Sequence, residues 1–190
     1  MTSSTFLNYT FGVLFHPVRT FEELSEKENQ PIWEALGMIL LVSVIGCLNS
    51  FSGEHIVVFA LYFVFYLMLA IFSWVFTASI IDFLASSFAQ KHNFNRILVF
   101  TGFALAPWIF LGPINLFKFA TTYGVVLAVI LSVLIWVWTA ALFIIALSKA
   151  LKISFARALV ILIMPFIGSF IAFYWMIGFF SNIISFFNKP

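Results

Sequence analysis

The sequence predicts an all-α fold: a polytopic integral membrane protein with five transmembrane helices and short interfacial helices at its N-terminus. Apolar residues make up 64% of the chain and charged residues only 8%, against about half and about a quarter in ordinary soluble domains. A soluble domain of 190 residues could not bury that much apolar surface, so lipid has to cover it. Long apolar runs separated by short polar ones leave no room for a soluble domain.

Residues 1–31 are predicted to form a cytoplasmic and interfacial segment ahead of a transmembrane domain over residues 32–187. Within it, residues 4–15 are too short to span a bilayer and too apolar to be a free tail. An interfacial helix in the membrane plane fits both properties.

A second short helix is predicted over residues 18–25. Pro17 suits the first turn of this helix because the N–H that proline lacks has no helical partner there. Phe21 and Leu24 would lie on one side and two glutamates on the other, which is typical of a helix with one face on an apolar surface.

Five apolar segments are predicted to span the membrane, over residues 32–50, 56–88, 97–117, 121–147 and 158–181. The second would be about 50 Å long as a helix, whereas the hydrocarbon core is about 30 Å thick. That helix must therefore protrude from the membrane or break near residues 77–79.

The third span is interrupted by Pro107 and Pro113, and the fifth contains Pro165. In lipid, a proline leaves a backbone carbonyl without its donor, so neighbouring groups have to satisfy it. We therefore expect the third span, which begins behind a capping Asn93, to lie in the middle of the bundle.

Two pairs of small residues four positions apart predict close contacts between helices. Gly102 and Ala106 form one pair in the third span, and Gly168 and Ala172 form the other in the fifth.

The basic residues predict the orientation. With a cytoplasmic N-terminus, seven of the nine Lys and Arg residues lie inside and two outside, as the positive-inside rule requires. The inside set is Arg19, Lys27, Lys91, Arg96, Lys149, Lys152 and Arg157, and the outside set is Lys118 and Lys189. The C-terminus is then external, and the first span is expected to act as an uncleaved signal.

A short internal similarity joins the starts of the third and fifth spans. The pattern Phe-x-Arg-x-Leu-Val occurs around Arg96 and again around Arg157, and a proline follows within about three turns, at Pro107 and Pro165. One interpretation is a duplication in which spans 2–3 and 4–5 are parallel hairpins. The other is that inward-facing helix starts in membrane proteins resemble one another.

Asp82 is the ionisable residue of greatest interest. A carboxylate at the centre of a membrane helix costs about 2.5–3.5 kcal/mol, so a deep Asp indicates function. The length of the second span instead places Asp82 near the cytoplasmic interface, where Arg96, His92 or Lys91 could pair with it; a proton or substrate role is the alternative. Glu34 would lie in the first turn of the first span, where a carboxylate complements the helix dipole.

No catalytic, metal or cofactor site is predicted, and the protein is not expected to be an enzyme. The three histidines lack metal-ligand spacing. Ser169 has no histidine within any span to act as its base, and Asp82 has no second Asp. With a net charge of +2 and no basic stripe, the chain is not expected to bind nucleic acid.

Three features resemble the Yip family, the Ypt/Rab-interacting membrane proteins, in its small prokaryotic form. The first is Phe-His-Pro at residues 15–17, followed by Thr-Phe-Glu-Glu-Leu at residues 20–24. The second is Gly-Phe-Ala-Leu-Ala-Pro at residues 102–107. The third is the layout of five spans with a cytoplasmic N-terminus.

This resemblance implies a membrane protein without catalytic residues. Eukaryotic relatives carry a longer cytosolic N-terminal region and act with Rab GTPases in early secretory traffic. The segment of about 31 residues here favours a bacterial or archaeal plasma-membrane protein instead.

The functional prediction is a non-enzymatic scaffold or adaptor in the lipid bilayer, with a homo-oligomer left open. A cytoplasmic protein partner would bind residues 1–31 and the loops 89–96 and 148–157. The alternative is a small transporter or lipid-handling protein. Few polar residues could line its path, which disfavours ions and charged solutes but not lipids: Ser43, Ser73, Thr77, Thr101, Ser132 and Thr139.

Overall fold

The computed structural model describes residues 3–49, 56–86, 93–120 and 123–187, and every element within these ranges is helical. The elements are α1 (Ser3–Phe15), α2 (Pro17–Glu26), α3 (Ile32–Asn49), α4 (Ile56–Ala85), α5 (Phe94–Ala104), a 3₁₀ segment (Ala106–Phe110), α6 (Leu111–Ala120), α7 (Gly124–Leu151) and α8 (Phe155–Phe187).

Four units in the described ranges are long and apolar enough to cross a membrane: α3, α4, the α5–α6 unit and α7. The prediction of an all-helical membrane protein is therefore confirmed. The fifth crossing falls on α8, a helix of 33 residues and thus about 50 Å, and it stays a prediction.

Both predicted N-terminal helices are present. α2 begins at Pro17, which occupies the first turn. Phe21 and Leu24 are fully buried, and the neighbouring glutamates are exposed. The amphipathic pattern of this segment therefore determines which side packs on the bundle.

α4 runs without a break from Ile56 to Ala85, so a break near residues 77–79 does not occur. Most of its surface is exposed, with only 6% of its most apolar stretch buried. The buried stripe consists of Trp74, Ala78, Ile81 and Ala85, whose spacing of four, three and four residues follows one side of a helix. α4 thus touches the bundle along a narrow seam.

The third span lies at the centre of the bundle, as predicted. Of its apolar stretch, 61% is buried, against 28% for α3 and 22% for α7. Asn93 caps it, accepting a hydrogen bond of 3.0 Å from the Asn95 backbone N–H. Residues 97–104 of α5 are all buried.

Of the three prolines, only Pro113 departs from the sequence prediction. The third span breaks once, where the 3₁₀ segment carries Pro107 in its first turn. Pro113 is the third residue of α6, where backbone N–H groups have no helical partner in any case, so it does not interrupt the chain. Pro165 lies inside α8, which continues through it.

The connection between α7 and α8 is shorter than the predicted loop over 148–157. α7 continues to Leu151, Lys152 takes a left-handed conformation with φ 55° and ψ 41°, and α8 starts at Phe155. The hydroxyl of Ser148 donates to the Ile153 carbonyl at 2.8 Å. Only residues 152–154 are outside a helix, so this connection is a tight helical corner.

Candidate functional site

The α1–α2 hairpin, residues 3–26, lies against the helical bundle and has exposed charged residues on its outer side. Phe21 of α2 packs on Phe100 of α5, with ring centroids 5.1 Å apart. Tyr9 of α1 packs edge to face on Phe103 of α5, with ring centroids 5.7 Å apart. These aromatic contacts fix both hairpin helices to the buried central span.

The two hairpin helices cross closely at Gly12. A Cβ atom at this position would lie 2.5 Å from the Thr20 hydroxyl oxygen. That oxygen is held in place because the hydroxyl donates to the His16 carbonyl at 3.0 Å. Lys27, just beyond α2, donates to the Tyr9 hydroxyl and lies 4.7 Å from the centre of its ring. The hairpin is therefore closed at its crossing and also at its open end.

Charge also connects the hairpin to the bundle. Glu22 of α2 forms an ion pair with Lys149 in the last turn of α7. On the outer side, Arg19 pairs with Glu23 at 2.9 Å. Partly exposed pairs of this kind contribute less than about 1 kcal/mol each, so they orient the hairpin more than they stabilise it.

Asp82 and Arg96 lie at the same end of the bundle, and both are half-buried. Asp82 is near the end of α4, and Arg96 is in the first turn of α5. Within the described ranges no ion pair joins the two side chains. The other predicted partners of Asp82, Lys91 and His92, lie outside those ranges, so its pairing with one of them stays a prediction.

Glu34 and Arg157 occupy helix starts. Glu34 is in the first turn of α3, as predicted, and is half-buried. Arg157 is exposed in the first turn of α8. Neither residue lines the cleft between α3, α4 and the central span or the one between α4, α7 and α8.

Of the two predicted small-residue contacts, one is formed in the described structure. A Cβ atom on Gly102 would lie 3.0 Å from the Ala35 Cβ and 3.3 Å from the Trp74 ring. α5 therefore packs closely on both α3 and α4 at this level. A Cβ atom on Gly168 would have no described neighbour within 4 Å, because α8 is exposed at this level.

A first cleft of about 330 Å³ opens between α3, α4 and the central span. Three of its polar side chains, those of Ser43, Trp74 and Thr101, are bonded within the protein. The Trp74 indole N–H donates to the Leu98 carbonyl at 3.0 Å and to the Thr101 hydroxyl at 3.2 Å. The Ser43 hydroxyl donates to the Ile39 carbonyl at 2.7 Å. These groups have little hydrogen-bonding capacity left for a ligand.

A second cleft of about 340 Å³ lies between α4, the 3₁₀ segment, α7 and α8. Its walls include Thr77, Trp108, Trp136, Thr139, Ile161 and Pro165. Two polar atoms there, the Trp108 indole nitrogen and the Thr139 hydroxyl oxygen, are buried and have no hydrogen-bond partner in the described structure. Leaving such a group buried and unbonded costs about 1–3 kcal/mol.

The tryptophans were not predicted to be functional residues. Trp74 and Trp108 both lie in apolar segments, where a large aromatic ring is typical of ordinary core packing. Each also carries an indole N–H that requires a partner when it is buried. This need for a hydrogen-bond partner could have marked both tryptophans as residues of interest. The local sequence does not indicate that the Trp74 indole has a partner and the Trp108 indole has none among the described residues.

Taken together, the bundle of long apolar helices, the buried central span and the N-terminal hairpin define an integral membrane protein. Its described residues hold no group of three or more His, Cys, Asp or Glu side chains placed for a metal ion. Its clefts are lined by uncharged residues in those ranges.

The family follows from comparison with known proteins. The Yip1 domain model matches residues 11–182, and the chain therefore belongs to the Yip1 domain family. The match runs from the N-terminal hairpin into α8 and confirms the resemblance found in the sequence. No curated protein and no solved structure gives a significant match.

Proposed function

We propose that this Yip1-family protein is a non-enzymatic scaffold or adaptor in a prokaryotic plasma membrane, with the N-terminal hairpin as its cytoplasmic docking surface. The observation that supports this most is the packing of the hairpin on the bundle through buried side chains. Fully buried Phe21 and Leu24 anchor it, and the side that carries Glu22, Glu23 and Glu26 is exposed.

A surface that is already ordered binds a partner more tightly, because binding then costs less conformational entropy. The aromatic contacts of Phe21 and Tyr9 hold the hairpin on α5, and the crossing at Gly12 holds its two helices together. An adaptor gains affinity from such preorganisation.

The charge of the hairpin indicates the chemistry of the partner. Residues 17–30 contain four glutamates and two basic residues, Arg19 and Lys27, which gives a net charge of two minus four, or −2. Two of the glutamates are engaged by Arg19 and Lys149. Glu26 and Glu28 are exposed and available to a basic segment of a cytoplasmic protein, which charge complementarity would steer toward this surface.

Orientation is part of the proposal. Glu22 pairs with Lys149 near the end of α7, and Phe21 packs on Phe100 near the start of the central span. The hairpin therefore lies at the end of the bundle that carries Arg96, Lys149, Lys152 and Arg157. Clustered basic residues favour the cytoplasmic side. The connection at residues 152–154 would then border the docking surface, whereas residues 89–92 of the predicted loop over 89–96 lie outside the described ranges.

The alternative, a transporter of small solutes, gains no support from the described interior. Three of the six hydroxyl groups that could line a path, those of Ser43, Thr101 and Ser132, bond to their own helix. A polar solute would find few free donors or acceptors along those walls.

Site-specific photo-crosslinking in native membranes tests the proposal. A photoreactive amino acid replaces Glu26 on the exposed side of α2, and the control places it at Trp33, which is 69% exposed but lies on α3. We expect position 26 to capture a soluble protein and position 33 to capture none. Phe21→Ala, which unseats the hairpin, should remove the captured band.

Two results would contradict the scaffold role. One is the absence of any captured protein at position 26 in cells grown under several conditions. The other is capture of the same proteins, in equal amounts, at positions 26 and 33, since this would indicate random collision at the membrane surface.

A further inference from the structure

The second cleft contains a hydroxyl group that differs from the other buried hydroxyls of the described residues. Elsewhere in the described helices, six hydroxyls donate to the carbonyl four residues earlier, the usual solution for Ser and Thr in a helix. They belong to Thr10, Thr20, Ser43, Ser79, Thr101 and Ser132. Thr139 is only 5% exposed, yet its hydroxyl has no hydrogen-bond partner among the described residues.

Two further polar groups belong to the same cleft. The buried indole N–H of Trp108 also lacks a hydrogen-bond partner in the described structure, and its ring packs edge to face on Trp136 at 4.9 Å. On the opposite wall, Pro165 has no N–H to donate, so the Ile161 carbonyl loses its helical donor. Trp108, Thr139, Ile161 and Pro165 all line the cleft, so two side-chain donors and one backbone acceptor lie beside otherwise apolar walls.

We propose that this cleft binds an uncharged lipid that carries a free hydroxyl group on a long apolar chain. A hydroxyl is the smallest group that can both accept from an N–H or O–H and donate to a carbonyl. Its oxygen would accept from Thr139 and Trp108, and its hydrogen would go to the Ile161 carbonyl. The apolar chain would lie along Thr77, Ile80 and Ile81 of α4.

Depth excludes a charged head group. Thr139 lies 12 residues (151 minus 139) before the end of α7 at Leu151, about 18 Å along the helix. With that end at the cytoplasmic interface, Thr139 is near the middle of a core about 30 Å thick. A phosphate or ammonium group is costly at this depth, and no charged residue among the described ones lines the cleft to offset it. An uncharged lipid can reach the midplane.

Size and side-chain freedom are also compatible with a ligand. The volume of about 340 Å³ lies at the lower end of the range for ligand pockets. Threonine in a helix has two accessible rotamers, so a rotation about χ1 can turn the shielded Thr139 hydroxyl toward a bound oxygen.

Photo-labelling of the purified protein in lipid nanodiscs tests this site. The probe is a diacylglycerol with a diazirine in one acyl chain, and the variants are Thr139→Val and Trp108→Phe. Ser132→Ala is the matched control, because this residue lies on the same helix and its hydroxyl already bonds to the Ala128 carbonyl at 2.7 Å. We expect labelling of α4, α7 or α8 to fall about fivefold in Thr139→Val, as for the loss of one neutral hydrogen bond, and less than twofold in Ser132→Ala.

Competition with unlabelled lipids identifies the source of the hydroxyl. Displacement by diacylglycerol alone indicates a glycerolipid, and displacement by a long-chain isoprenoid alcohol indicates a polyprenol-type ligand. Equal displacement by phosphatidylcholine, which has no free hydroxyl, would overturn the proposal. Equal labelling of wild type and Thr139→Val would do the same, provided that both proteins elute as one folded species.

Discussion

The two glycines Gly102 and Gly168 allow a direct test of the packing. Both precede a small residue four positions on, and the sequence predicts the same role for both. In the structure, a methyl group added to Gly102 meets the Ala35 Cβ at 3.0 Å and the Trp74 ring at 3.3 Å. A methyl group on Gly168 meets no described atom within 4 Å. We therefore expect Gly102→Ala and Gly168→Ala to change stability in opposite directions.

The magnitude follows from two terms. Gly→Ala in a helix adds up to about 1 kcal/mol of helix stability at either site. At Gly102 an overpacking cost of about 1–3 kcal/mol opposes this gain. The neighbouring atoms cannot move away easily, because the Ala35 Cβ is attached directly to the α3 backbone. The Trp74 ring is held by its bonds to Leu98 and Thr101.

Subtraction isolates the packing term. Since both variants gain the same helix term, the difference between them should equal the overpacking cost. For a protein of this size that corresponds to a separation in Tm of about 2–12 °C, with Gly102→Ala lower than Gly168→Ala.

Thermal unfolding in mild detergent, followed by size-exclusion chromatography of a fluorescent fusion, measures this difference. Wild type and both variants are heated in parallel at equal protein and detergent concentrations. A Tm for Gly102→Ala equal to or above that of Gly168→Ala would show that α5 does not pack on α3 and α4 as described.

Two other predictions concern topology and function. In a Cys47→Ala background, a cysteine that replaces Asn188 should react with a membrane-impermeant reagent added to intact cells, and a cysteine that replaces Asn93 should not. The reason is that the basic residues favour a cytoplasmic N-terminus. Labelling at position 93 would show the opposite orientation. Pro107→Ala should leave partner capture by the hairpin intact, with at most a modest loss of stability, because a scaffold needs the helix break only to shape its core. Neither wild type nor Pro107→Ala should move small solutes across the membrane of proteoliposomes. Solute flux in wild type that Pro107→Ala abolishes would favour a transporter, in which such breaks act as hinges.

Several features were predictable from local sequence because their physical causes are local. The apolar composition requires a membrane. The alternation of Phe21 and Leu24 with glutamates specifies the buried side of α2. Asn93 caps α5 through a bond two residues away. Each of these depends on a composition or on neighbours within a few residues.

The side of α4 that packs was decided only by the tertiary structure. α4 is apolar all round, so its sequence carries no periodic contrast between a lipid-facing and a protein-facing side. Trp74, Ala78, Ile81 and Ala85 form the seam because the central span presents a complementary surface there. Exposed and buried positions carry the same kind of residue in lipid, which removes the signal that works for soluble helices.

The candidate sites divide in the same way. The acidic side of the hairpin can be predicted from residues 17–30, because the charges and their helical spacing both follow from the local sequence. The second cleft could not be predicted, since its character depends on which buried polar groups find partners. Thr101 and Thr139 are alike in sequence terms, yet Thr101 bonds to its own helix and to Trp74, whereas no bond is described for Thr139. Hydrogen-bond partners from helices far apart in the chain become neighbours only through tertiary packing, and that packing determines which polar groups stay available to a ligand.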